Sequence, residues 1–212
     1  MTPTVAWPDQ SVITTYRTEA ATQETAAADT EPVPSRQFPP STVGRALQEA
    51  SIHLRTVSET PRVEAEILLM HVLDASRSQL LTHPDKSLSS DQLARFEALV
   101  GERGAGYPLP HLTGRIEFYG LEIEVTAEVL IPRPETETLV DLALARCPRS
   151  VVDVGTGSGC IAVALAKERP DLEVCAIDIS PAALAVAQRN AERHGVDDRV
   201  QFIVSNLLDR RP

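Results

Sequence analysis

The sequence predicts an α/β chain: part of a Rossmann-like, doubly wound parallel sheet, preceded by a small helical bundle and a β-hairpin linker. Three observations carry this. Strand-like and helix-like patterns alternate from Ser150 to Asn206. A run of alternating glycines, "DVGTGSGC", follows the first of those strands. Apolar spacing is helical up to about residue 105 and then switches to period two.

Taken in order, residues 1–40 contain almost no large aliphatic side chains over "ATQETAAADTEPVPSRQFPP" and end in prolines. Such a stretch buries too little to offset its ordering entropy, and a disordered extension is expected. From Ser41 the composition changes. Val43, Leu47, Ala50 and Leu54 share one helical face. Pro61 after Thr60 suits the first turn of a second helix, which carries Ile67, Leu68, Met70, His71 and Val72. Ser89 and Gln92 have capping-box spacing ahead of a stripe of Leu93, Phe96, Leu99 and Val100, and Gly101, Gly104 and Gly106 are expected to stop that helix. Residues 41–105 thus read as a helical domain and 106–133 as a hairpin linker, with Ile116 and Phe118 alternating before Gly120 and Leu121, Ile123 and Val125 after it. Residues 134–212 read as the N-terminal half of a ligand-binding sheet domain. Its opening helix has Glu135 and Glu137 in the first turn and an apolar face of Leu139, Val140, Leu142 and Leu144. Then come a strand at "SVVDV", a helix ended by Pro170, a strand at "LEVCAIDIS", a helix from Pro181 to Gly195, and a strand at "RVQFIVSN".

The totals narrow the function. Apolar residues make up 42% of the 212 and aromatics 4%, so the core is aliphatic. A formal charge of −10 argues against non-specific binding to phosphate backbones. Three widely spaced cysteines, Cys147, Cys160 and Cys175, form no disulfide framework or metal knuckle, and the five histidines lack ligand spacing; no metal site is expected. No run approaches the ~18 apolar residues of a membrane span, and no signal pattern opens the chain. A soluble cytoplasmic protein is expected.

In doubly wound sheets, ligands sit beyond the carboxyl ends of the strands, where this glycine run falls. Gly155, Gly157 and Gly159 let a ligand approach bare backbone, and the helix that follows offers N–H groups to an anionic moiety. A dinucleotide loop in the register of Gly155 fails at Cys160, whereas the register Gly157, Gly159, Ala162 fits. Asp153 weighs against a dinucleotide, since it would face a pyrophosphate, like charge on like charge. S-adenosylmethionine removes that conflict, with an ammonium for Asp153 and a carboxylate for the helix. The alternative for Asp153 is a structural hydrogen bond to loop amides. Asp178, at the end of the second strand and 19 residues past Gly159, can accept from both ribose hydroxyls of either cofactor, or only cap the helix at Pro181, as Ser180 also could. Asn206, ending the third strand, can bond an adenine edge or serve as a turn residue.

"DVGTGSGCIAVALAKERP", "AIDISPAALAVAQRNA" and "HLTGRIEFYGLEIEVTAEVLIPRPETETLV" together resemble the HemK/PrmC family of peptide chain release factor N5-glutamine methyltransferases. "PRVEAEILLMHVL" and "ERGAGYPLPHLTG" resemble its helical domain and junction, so the likeness runs from about Ser41 onward. It implies a class I methyltransferase sheet and S-adenosyl-L-methionine as cofactor. The activity it implies is methylation of the glutamine side-chain amide in the Gly-Gly-Gln motif of a release factor, modulating translation termination. It places Gly155, Thr156, Gly157, Ser158 and Gly159 in the cofactor loop, Asp178 on the ribose, and Asn206 and Leu207 at the adenine. At the first of these adenine positions the family often has aspartate. Arg133 and Pro134 match the loop beside substrate and cofactor, where a simple hinge is the alternative. The family carries an Asn-Pro-Pro-Tyr motif after its fourth strand that clamps the acceptor amide. The sequence ends at Pro212 before any such motif, so a fragment with an apolar, unpaired first strand is expected and no catalytic residue is assigned. The competing functions are an adenine-N6 DNA or RNA methyltransferase, a non-catalytic cofactor- or partner-binding module, and an NAD-dependent oxidoreductase.

Overall fold

The computed structural model describes residues 42–207 and 209. The expected extension over 1–40 lies outside them. Five helices come first: α1 Val43–His53, α2 Pro61–Leu73, α3 Arg77–Thr82, α4 Ser90–Gly104 and α5 Leu109–Thr113. Thr42 caps α1, and Ser76 and Ser89 form full capping boxes with Gln79 and Gln92. Leu47, Leu54, Leu68, Leu69 and Phe96 are fully buried among α1, α2 and α4. Leu109 and Leu112 of α5 pack against the same core, beyond the point at which the sequence pattern ends its helical segment. Gly101 does not stop α4, which runs on to Gly104. The chain turns only at Gly106, whose φ is +100°.

The hairpin pairs β1 Arg115–Phe118 with β2 Leu121–Glu124, antiparallel, in the register Phe118↔Leu121. Both turn residues, Tyr119 and Gly120, have positive φ, the geometry whose twist matches the flanking strands. Tyr119 holds this conformation through two contacts. Its backbone N–H donates to the Glu137 carboxylate (2.7 Å) and its hydroxyl to Asp141 (2.8 Å). These carboxylates lie on α6 Glu137–Ala145, which a single 3₁₀ turn, Pro134–Thr136, introduces. Of the expected α6 stripe only Val140 is buried, while Leu142 is 47% exposed. The helix packs chiefly on the one that follows the glycine loop, and that contact covers one narrow face.

The sheet has three parallel strands in the order β3 Ser150–Val154, β4 Glu173–Asp178, β5 Val200–Val204. The helices α7 Cys160–Glu168 and α8 Pro181–His194 connect them. β4 is central and nearly continuous in burial from Val174 to Ile177. β3 lies at the edge, and all five of its residues are half-buried. Ala162–Ala166 of α7, Ala183, Val186 and Ala191 of α8, and the hairpin's Phe118, Ile123 and Val125 fill the second core.

Candidate functional site

β3 and β4 end side by side, with Val154 opposite Ile177, and the chain leaves β3 directly into the glycine loop. The loop is bound back onto the sheet: the N–H groups of Gly155 and Thr156 both donate to the Ile177 carbonyl (2.7 and 3.0 Å). Gly155, Gly157 and Gly159 all have φ between +54° and +78°. At Gly159 space is the stricter demand. A Cβ there would stand 2.8 Å from the Ala187 Cβ and 3.0 Å from its Cα, so the loop can seat on α8 only with no side chain.

Two carboxylates frame this loop. Asp178 accepts the Gly157 N–H on one oxygen and the Ser180 N–H on the other, each at 2.9 Å. The N-cap of α8 is Ser180, whose hydroxyl accepts from the Ala183 N–H, so Asp178 is not the helix cap. Asp153 accepts the Thr156 hydroxyl at 2.7 Å. Burial pushes the Asp153 carboxyl above its ordinary range. The Thr156 hydroxyl and the Ala162 backbone N–H pull it partly back, and the charge of Asp178 adds to the rise. Among the described residues no ion pair reaches either acid. The Cys160 thiol, at the start of α7, is pushed up to about 12, first by burial and then by Asp153, so it is not a nucleophile at neutral pH.

The structure therefore brings Asp153, the five loop residues and Asp178 together. Thr156 and Ser158 are buried, the Thr156 hydroxyl being turned onto Asp153, so the loop presents backbone rather than side chains. Asn206 and Leu207 follow β5 and are joined to the site through the Ser205 N–H, which donates to the Asp178 carbonyl (3.0 Å). Leu207 is 60% exposed. Ile179, 68% exposed directly after Asp178, is a second bare apolar side chain at this edge. The sequence reading passed over it as strand continuation. Arg133 and Pro134 are exposed at the entry to the 3₁₀ turn, and no hydrogen bond among the described residues links them to the loop. Two cavities, of about 350 and 860 Å³, lie instead beside the hairpin, and neither includes a glycine-loop residue. Among the described residues no cluster of His, Cys, Asp or Glu could hold a metal ion, and no helix is long and apolar enough to cross a membrane.

Residues 45–114 match the PrmC N-terminal domain, ending at the αL cap of α5, and residues 149–212 match a methyltransferase domain. The chain is 46% identical over 172 residues to a release factor glutamine methyltransferase of Koribacter versatilis (strain Ellin345), covering 79% of this chain and 61% of the relative. It is 47% identical over 149 residues to a protein of the same name from Escherichia coli (strain K12), covering 69% of this chain and 53% of that one. The chain thus spans little more than half the length of these curated relatives. Among solved structures, an RNA methyltransferase from Salinibacter ruber in complex with S-adenosyl-L-homocysteine shares 28% identity over 39% of this chain and 53% of that one, with a TM-score of 0.35, a superposition too partial to carry an argument.

Proposed function

We propose that this chain, which matches the PrmC N-terminal domain over residues 45–114 and a methyltransferase domain over 149–212, is part of a release factor glutamine methyltransferase and binds S-adenosylmethionine at the loop of residues 155–159. There it serves methyl transfer to the side-chain amide nitrogen of the glutamine in the Gly-Gly-Gln motif of a cytoplasmic release factor. The observation that supports the cofactor most is the pair of acids around bare backbone, with no ion pair to either among the described residues. A pyrophosphate would meet two carboxylates; an ammonium group relieves them. Each Asp178 oxygen already takes one backbone N–H and keeps a lone pair for a ribose hydroxyl. Ile179 and Leu207 offer apolar contact to a base, and the Asn206 amide lies one residue from Leu207.

The cofactor supplies an activated methyl group on a sulfonium. The acceptor amide is a poor nucleophile because its lone pair is delocalised, so the protein's task is placement more than base strength. In this reading the glycine loop and Asp178 fix the donor. The helical part over 41–105, extended by α5, takes the protein substrate, and Arg133 and Pro134 stand on the substrate side. No residue is assigned to the chemical step itself, and the acidic balance keeps nucleic acid out of the proposed partners.

Calorimetric titration with S-adenosylhomocysteine tests the cofactor. Micromolar binding is expected, with about a hundredfold loss on Asp178→Ala from two hydrogen bonds to a charged group. Absence of heat, or heat with NAD instead, overturns it. The acceptor is tested on the chain extended to the length of its relatives, with methyl-labelled cofactor. Label should enter a release factor but not its Gly-Gly-Gln→Gly-Gly-Ala variant; label entering an oligonucleotide would point to a nucleic-acid methyltransferase.

A further inference from the structure

Asn190 lies in the middle of α8 and is fully buried, a position where a polar side chain needs a reason. Three of the four hydrogen bonds its amide can make are formed with the protein backbone. Its Oδ1 accepts the Glu124 N–H at 2.7 Å. Its Nδ2 donates to the Glu124 carbonyl at 3.0 Å and to the Ser158 carbonyl at 2.8 Å. One amide thus holds the backbone at the end of β2 and the backbone of the glycine loop, segments 34 residues apart in sequence. Ala187, one turn earlier on the same face, is the residue against which Gly159 seats. The rest of β2 is bound to α8 as well: Glu124 pairs with Arg189, Glu122 pairs with Arg193, and the Glu122 carbonyl bonds His194 at 2.9 Å.

We propose that Asn190 is a positioning residue that sets the height of the glycine loop over α8 and ties it to the β-hairpin, so that displacement of the hairpin is felt at the cofactor loop. The proposal rests on the reading of that loop as a cofactor site only for its consequence on binding; the mechanical link stands on the three bonds themselves. Removing the amide leaves Ser158 free to lift while the sheet-side bonds of Gly155 and Thr156 remain. Loss of loop order, rather than loss of a ligand contact, then lowers affinity.

The test compares Asn190→Ala with Val196→Ala, a core truncation at the far end of α8 that destabilises without touching the loop. Amide hydrogen exchange without ligand is the readout that a purely structural role would not move. Exchange at Gly157 and Gly159 should rise in Asn190→Ala and stay at the wild-type level in Val196→Ala. Affinity for S-adenosylhomocysteine should fall about tenfold in the first and less than twofold in the second. Asn190→Ser, which keeps one donor, should lie between and serves if the alanine variant does not fold. Equal exchange at the two glycines in the Asn190 and Val196 variants overturns the proposal. If the unaltered chain binds no S-adenosylhomocysteine, the cofactor reading fails while the exchange data still decide the link.

Discussion

In the helical part, buried acid is met by base. Glu66, 4% exposed, accepts from Arg62 and Arg77 at 2.8 and 2.9 Å, and Glu64 takes a two-pronged bond from Arg103, which also reaches the Val57 carbonyl. At the glycine loop the acids' partners among the described residues are a hydroxyl and backbone N–H groups. In the first arrangement each charge is answered within the fold, joining α2 to α3 and α2 to α4. In the second, no ion pair among the described residues answers the acids, which favours a cationic ligand beside Asp153. The difference separates residues that hold the molecule together from residues that wait for something.

The comparison can be broken first at Gly159. Alanine there must adopt a φ of +78° and place its Cβ 2.8 Å from another Cβ, with backbone rather than a flexible tip behind it. Gly159→Ala should cost about 2–4 kcal/mol in chemical denaturation and weaken S-adenosylhomocysteine binding together with it. A loss in binding with no loss in stability would show that the loop does not bear on the core. Glu66→Gln, in the other region, should cost about 1–2 kcal/mol, discounted because both arginines are half exposed, and leave binding unchanged. Burial alone would raise the Glu66 carboxyl, but the bonds to Arg62 and Arg77 outweigh it and the net shift is downward. Its contribution is therefore complete above the ordinary carboxylate range and disappears as pH falls through the lowered folded value. Denaturation curves for wild type and Glu66→Gln should converge on acidification.

Much of this layout was legible beforehand, for identifiable reasons. In β3 to β5 and the helices between them, periodicity, Pro181 at a helix start and Gly195 at a helix end all agree, so pattern and structure coincide. α3 and α5 have six and five residues, too short for a periodic stripe. α3 was not read from the sequence, although Ser76 and Gln79 form there the same capping box that Ser89 and Gln92 form at α4. α5 falls within the stretch expected as hairpin linker; Pro108 stands at its N-cap and Pro110 in its first turn, where a proline's missing N–H has no helical partner to lose. Gly101 read as a stop but faces solvent in the middle of a turn, where glycine is tolerated. The glycine loop and Asp178 were legible because strand ends in such sheets converge. Asn190 was not, since a lone polar residue in a helix reads as solvent-facing until its partner, 66 positions away, is placed beside it.

The smallest expected effect discriminates most sharply, because its sign differs between fold and function. Ionising Asp153 in the fold is opposed by burial and by Asp178, so its folded pKa lies above the unfolded one. The fold is then at its most favoured below the unfolded pKa and loses stability as pH rises through the folded value. Asp153→Asn removes that loss, while its amide oxygen can still accept from the Thr156 hydroxyl and the Ala162 N–H. At neutral pH the variant should equal wild type or exceed it by about 0.5 kcal/mol, with the gap closing on acidification. Its affinity for S-adenosylmethionine should nevertheless fall about fivefold, as an ammonium loses the carboxylate beside it. A variant that is less stable than wild type at neutral pH would mean that Asp153, like Glu66, belongs to the scaffold, and the contrast between the two regions would fail at the residue where it is most exposed to test.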